Sequence, residues 1–526
     1  MKIGSDIIMV YKDVHIWIGI TCGLMLFVAF YAGAVTMFEQ PLHRWATPPS
    51  QLSDAPPLED AEKLLAAVVA VHPEAANRYR FVVTPTPDEP ARLIWAARGE
   101  RPREFIEHGA SFAPDGSLQV EPLRKSPAAQ LVDRMHQFVG LPIPDTVARY
   151  VMGAVALAYA VALLSGLIVL LPTLVKDVFA LRAGKNIKRM WLDAHNALGI
   201  FSLPFHLVIA LTSVVFAFHD PFYDTQAKAL YGGEIDWGGH EEAPTGTAPL
   251  PASELLARAN AQLPGFEVFT FTFAREDDGH LEAGITGLDT RHGTRARTYM
   301  RTHLDPYTGT VDTHDLPGHM AGWDEAVNAF FALHFGSYGG NPVRWLYVLM
   351  GLAGAMLFYT GNLLWVESRR RRQKGPETVV QKRSARVLGC LTVGIALGSV
   401  AGISATLAAA KWLPALVDDL AFWHQAIYYA VLFAATAWAF VRGVGRGAVD
   451  LLHACALLTL AIPLSSLAGV LGIGGSWSHP GSWPVDLTAL LAVPVFVWIA
   501  RSTRRRMAHG HADSVWAAGA ELPATR

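Results

Sequence analysis

Eight stretches of this chain run for roughly a bilayer's thickness almost without charge, and few folds can hold them. They cover 14–38, 150–175, 194–219, 345–366, 387–410, 420–441, 451–473 and 485–500. A helix needs about 20 apolar residues to cross the hydrocarbon core, and helices of this kind satisfy their own backbone there. Composition agrees: 17% of residues are charged and 52% hydrophobic, against about 25% charged in soluble domains. Lys plus Arg (43) nearly equals Asp plus Glu (45), so no basic excess points to nucleic acid. Cys22, Cys390 and Cys455 lie apart in apolar runs and form no CxxC pair. The reading is a polytopic α-helical membrane protein with about eight transmembrane helices in the lipid bilayer.

The first run is too long for a signal-peptide core and no small-residue cleavage site follows it, so it reads as an uncleaved anchor. Positive charge sets orientation. Lys176, Arg182, Lys185, Lys188 and Arg189 follow the second run, and Arg369–Arg372, Lys374, Lys382, Arg383 and Arg386 follow the fourth. Arg442 and Arg446 follow the sixth, and Arg501, Arg504, Arg505 and Arg506 the eighth. All fall on one side if both termini are cytoplasmic. The expected division is a first transmembrane helix (1–38), an outer module with a short His-bearing helix (39–149) and a second helix (150–175). A third helix (190–219), a second outer module with a short His-bearing helix (220–344) and a fourth helix (345–368) repeat that order. A basic link (369–384), an appended four-helix bundle (385–501) and a cytoplasmic tail (502–526) complete it.

Each outer segment reads as a small α+β module. The first has a helix over 58–71, then strands over 79–83, 92–96 and 104–106, and a short run 111–113 closed by Pro114-Asp115-Gly116. The second has a helix over 252–262 and strands over 267–273, 281–285 and 297–304, as alternation and turn residues indicate. The membrane parts repeat as well. Asp13-Val14-His15 with Gly19-Ile20 matches Asp193-Ala194-His195 with Gly199-Ile200. His136 with Gly140 resembles His334 with Gly336, and Ser165-Gly166 resembles Thr360-Gly361.

Ionisable residues inside a membrane are costly and point to function. His195 and His206 are eleven positions apart, which in an unbroken helix is about 1100° of rotation and about 16 Å of rise. Both would face one way at two depths, which suits two stacked haems with one axial imidazole each. His15 matches the depth of His195. His334, in the more apolar setting, is the preferred partner of His206 and His136 the next; His136 pairing with His334 is a further arrangement. A single membrane histidine is commonly a polar hinge, but five at duplicated positions favour ligation. His424 and His453 have no counterpart in the repeat and read as structural; His292, His303, His314 and His319 lie on polar stretches and read as solvated. No P-loop, G-x-G-x-x-G after a strand, H-E-x-x-H or G-x-S-x-G is present, so electrons would enter from elsewhere.

The paired Asp-x-His helix starts, the Leu203-Pro204-Phe205-His206 stretch, Leu333-His334-Phe335-Gly336 and Leu304-Asp305-Pro306-Tyr307-Thr308-Gly309 resemble the PepSY-associated transmembrane helix family over about 8–368. Thr212-Ser213 stands where that family usually has Thr-Gly. The resemblance implies an iron-regulated protein of the bacterial inner membrane with two periplasmic PepSY-like α+β modules and two b-type haems. The implied activity is reduction of ferric iron or ferric siderophores, fed by a membrane quinol or a cytoplasmic donor. A sensor or accessory subunit of an uptake system is the other role it allows.

Overall fold

The computed structural model describes residues 4–98, 105–174, 187–230, 248–276, 279–289, 291, 300–314, 316–320, 322–372, 374, 379–479, 481 and 483–517. The basic stretch 176–185, His292 and the start of the strand expected over 297–304 lie outside them. The chain divides into a helical unit (Met1–Thr47, Ser126–Pro221, Arg344–Arg526) and a sheet unit (Pro48–Lys125, Phe222–Val343).

The helical unit holds α1 (Ser5–Thr36), α2 (Glu39–Ala46), α4 (Ala128–Phe138), α5 (Asp145–Leu170), α6 (Ile187–Phe201), the start of α7 (Leu203–Leu230) and most of α10 (Gly340–Ser368). It continues with α11 (Arg383–Ala409), α12 (Leu420–Arg442), α13 (Val444–Val470) and α14 (Trp483–His509). Among the described residues eight helices are long and apolar enough to cross a membrane, the number the apolar runs predict. The protein is multi-pass. Apolar length drives the spans, and local chemistry ends them. Asp419, for example, caps α12 by accepting from the Phe422 amide at 3.0 Å.

One span departs from expectation. The run 194–219 is not one helix but two, broken at Ser202 between α6 and α7. Pro204 has no amide hydrogen to donate into the preceding turn, so the ladder is interrupted there. The whole-turn arithmetic linking His195 to His206 therefore does not apply.

The sheet unit holds α3 (Ala61–Val71), β1 (Arg78–Val82), β2 (Leu93–Arg98), β3 (Phe105–Phe112) and β4 (Leu118–Pro122) from the first long segment between spans. The second contributes α8 (Ala252–Gln262), β5 (Phe266–Arg275), β6 (Leu281–Asp289), β7 (Met300–Leu304) and α9 (Gly322–Phe335). Each segment keeps the expected helix and antiparallel strands, but the two do not form separate sheets. One seven-stranded sheet runs β4-β3-β2-β1-β5-β6-β7. Its seam is the β1–β5 pair, with Tyr79 opposite Phe273 and Phe81 opposite Phe271. The Tyr79 and Phe273 rings stack at 4.9 Å. Joining two modules this way removes two exposed edges that would otherwise invite pairing with other chains. Leu64 and Val68 of α3 and Leu255 and Ala259 of α8 bury into one shared core with Phe81, Phe271 and Ile285.

On the sheet, Glu107 receives Arg80 at 2.6 Å and Lys125 at 2.9 Å. Burial alone would raise the Glu107 carboxyl, but Arg80 and Lys125 outweigh it and hold it at about 2, against an ordinary 4.5. A depressed carboxylate stabilises the folded state above its unfolded pKa, and that contribution is lost as pH falls from about 4.5 towards 2. Glu107→Gln should cost about 1–2 kcal/mol at pH 7 once partial solvent screening is allowed for. Its penalty should shrink below about pH 4, as unfolding curves of the intact protein at the two pH values would show.

Candidate functional site

In an α-helix each carbonyl accepts the amide four residues on, and one lone pair stays unused behind the side chain at that position. A glycine there uncovers it. The helical unit uses this three times. His15 Nδ1 lies 2.8 Å from the Ala162 carbonyl on α5, over Gly166, where an added Cβ would stand 2.8 Å from the ring. His195 Nδ1 lies 3.1 Å from the Leu357 carbonyl on α10, over Gly361, with the corresponding approach 3.2 Å. His136 Nδ1 lies 2.9 Å from the Ala29 carbonyl on α1, over Gly33, at 2.7 Å. In every case the acceptor stands four residues before the glycine.

The Ser-Gly and Thr-Gly pairs of the repeat are explained by the same geometry. Ser165 donates to the Ala162 carbonyl and Thr360 to the Leu357 carbonyl, both at 3.0 Å. Each carbonyl thus takes a hydroxyl and an imidazole from outside its own ladder. Because a carbonyl can only accept, each neutral ring carries its proton on Nδ1 and has its lone pair at Nε2. This is the state in which histidine ligates a metal, with its other nitrogen anchored.

His15 and His195 are brought together, their ring centroids 6.0 Å apart and their planes at 74°. Two imidazoles bound to one metal ion at about 2.0–2.1 Å each would have centroids roughly 6 Å apart. His206 is fully buried, and neither ring nitrogen has a hydrogen-bond partner. It packs over Gly354, whose Cβ would approach the ring to 2.9 Å. Gly354 and Gly361 are two turns apart on one face of α10, so His206 and His195 do occupy two levels, for a reason other than an unbroken helix. Around His206 stand Phe30 (5.4 Å), Phe205 (5.6 Å) and Tyr159 (6.0 Å). Tyr159 also lacks a partner for its hydroxyl.

The remaining histidines divide between the units. His136 lies in the helical unit with His206, and His334 lies on α9 in the sheet unit, its ring 5.5 Å from Phe335. His453 donates Nδ1 to the Val449 carbonyl of its own helix at 2.7 Å. His424 is buried with both nitrogens unpartnered. His303, His314 and His319 are exposed. Reading the sequence identifies the histidines but not Gly33, Gly166, Gly354 and Gly361 as their seats, nor Tyr159 and Phe30. Paired glycine and hydroxyl residues inside apolar runs are the signal that points to them.

Residues 13–368 match the family described as PepSY-associated TM region. The chain belongs to this family. All five candidate histidines fall inside the PepSY-associated region, and α11–α14 fall outside it. The comparison with curated proteins returns no match.

A buried imidazole with no partner is an unfavourable arrangement unless something satisfies it, and an anchored pair 6.0 Å apart has the donor chemistry of a closed bis-histidine iron site. These residues of the PepSY-associated region fit haem. The seats can be tested directly. Gly166→Ala places a methyl 2.8 Å from the His15 ring, whereas Gly361→Ala places one 3.2 Å from that of His195. Gly166→Ala should destabilise by about 1–3 kcal/mol and Gly361→Ala by less, as thermal unfolding in detergent would read out.

Proposed function

We propose that this protein is an inner-membrane di-haem electron-transfer protein that reduces ferric iron or ferric-siderophore complexes on the periplasmic side. The observation that carries the reading is the set of three membrane histidines with Nδ1 committed to a helix carbonyl, beside a fourth with neither nitrogen satisfied. His15 and His195 would hold one b-type haem. His206 would hold the other with His136, whose ligating tautomer is fixed by the Ala29 carbonyl. When bound, haem supplies one-electron exchange between ferric and ferrous iron. The chain's own part is to fix each ring's tautomer and plane, and to keep water from the ligands with Phe30, Phe205 and Tyr159. The sheet unit would face the periplasm and receive the chelate. Siderophore oxygens are hard ligands, so Fe(II) leaves them more readily than Fe(III). A membrane quinol or a cytoplasmic donor would supply the electrons.

A reduced-minus-oxidised spectrum of the purified protein should show b-type haem at two per chain. His195→Ala and His206→Ala should each remove one, and His303→Ala none. Absence of haem from the folded wild type would overturn the reading and favour a non-enzymatic PepSY-type sensor or accessory subunit.

Orientation is a separate expectation. Because the basic links share one side, reporter fusions after Gly116 and after Arg372 should sit in opposite compartments, the former periplasmic. Reporters in the same compartment would mean a wrong span order.

A further inference from the structure

The short helix that carries His136 ends in a strained turn. Val139 adopts φ 49° and Gly140 φ 69°, and a β-branched residue in the left-handed region is costly and persists only where its surroundings impose it. In the second half of the repeat the residue after Phe335 is Gly336 at φ 57°, which meets the same demand without a side chain. Val139 packs on a core shared by α1, α5 and the C-terminal bundle, and the bundle adds a direct hold on the turn. Tyr429 of α12 donates its hydroxyl to the Gly140 carbonyl at 2.9 Å. The fully buried Tyr428 packs in one core with Met135 and Val132 of α4, Ala32 of α1 and Ile403 of α11.

A second clamp secures α2, which packs on α4. Trp45 is fully buried and donates Nε1 to Ser466 of α13 and Asp486 of α14, each at 2.9 Å. Lys411, 1% exposed, donates to Ser466 at 2.9 Å and to the Trp477 carbonyl at 3.0 Å. Its ammonium also lies 4.4 Å from the Trp45 ring centroid. Ser466 donates its own proton to Asp486 in a 2.9 Å hydrogen bond. Each of these buried donors has an acceptor, and the network joins α2 to three parts of the bundle.

We propose that the C-terminal bundle, which lies outside the PepSY-associated region, positions α4 so that His136 faces its site, with Tyr429 and Lys411 as the positioning residues. The inference rests on the reading above that His136 ligates the outer haem. The Ala29 carbonyl holds the His136 ring directly and the bundle holds the helix that carries it, so the effect should fall on one haem alone.

The test uses the purified full-length protein, following haem stoichiometry, the midpoint potential of each haem and the low-spin ferric EPR signals. Tyr429→Phe removes only one hydroxyl and should shift the potential and signal of the haem that His136→Ala abolishes, leaving the other unchanged. Lys411→Met should lower that haem's occupancy and leave the other's unchanged. Adding Val139→Gly to Tyr429→Phe relieves the left-handed strain and should restore the wild-type signal. Unchanged signals in both Tyr429→Phe and Lys411→Met would overturn the proposal. So would an equal disturbance of both haems, or a failure of Val139→Gly to restore. A His136→Ala protein that keeps both haems would instead defeat the ligand assignment beneath it.

Discussion

A helix carbonyl with a lone pair to spare is the interaction on which the membrane part of this protein depends. In the apolar interior an imidazole N–H must find an acceptor, and the nearest acceptors are already engaged in helical ladders. A glycine four residues on exposes the unused lone pair, and the ring settles on the bare backbone. That contact ties α1 to α5, α6 to α10 and α4 to α1, each pair close enough for Nδ1 to reach its carbonyl. It also fixes the tautomer. Helix packing and the histidine tautomer here have one cause.

The same device explains how far the two halves of the repeat agree. Ser165-Gly166 and Thr360-Gly361 are equivalent seats for His15 and His195, hydroxyl and glycine included. Elsewhere the halves diverge. α4 belongs with the membrane helices and α9 with the sheet. The residue directly after α4 is Val139 in the left-handed region, whereas the one directly after α9 is Gly336, which needs no such support. The two long segments merge through β1 and β5, so each loses one of the two open edges an isolated module would have.

Features that depend on a whole segment's composition are legible in the sequence, and features that depend on a partner are not. The eight spans are legible because a bilayer demands about twenty apolar residues in a row. The helix over 252–262 and the strands around 79–83 and 267–273 are legible from alternation and turns. The two short runs 104–106 and 111–113 become one strand, β3, continuous over Phe105–Phe112 because both neighbours pair along it. β4 follows the Pro-Asp-Gly turn but its own residues alternate weakly, and only pairing with β3 makes it a strand. The β1–β5 seam leaves no local trace, since Tyr79 and Phe273 belong to different long segments and their pairing is made only in space. The break at Ser202 is signalled by Pro204 but hidden by the apolar run around it. His424 shows the limit most plainly: nothing in its sequence setting distinguishes it from His453, yet one is buried and the other only partly so.

The boundary of the family match at residue 368 is not a boundary of folding. α11 follows it and is buried on two sides. On one, Gly394, Gly398 and Gly402 lie against Thr436, Ala435 and Tyr428 of α12, the close small-residue packing that joins helices where no hydrophobic effect operates between them. On the other, Ala396, Val400 and Ala401 share a core with Leu26, Phe27 and Phe30 of α1 and with Tyr159 of α5. Ending the chain after Lys382 would therefore uncover part of the α1 core that also includes Phe30, the ring beside His206. A bundle appended merely for docking would leave that face covered by something else. Here the appended helices are the cover, so the histidine sites and the C-terminal bundle must be treated as parts of one packed unit, and point substitutions at their contacts are the means of separating what each contributes.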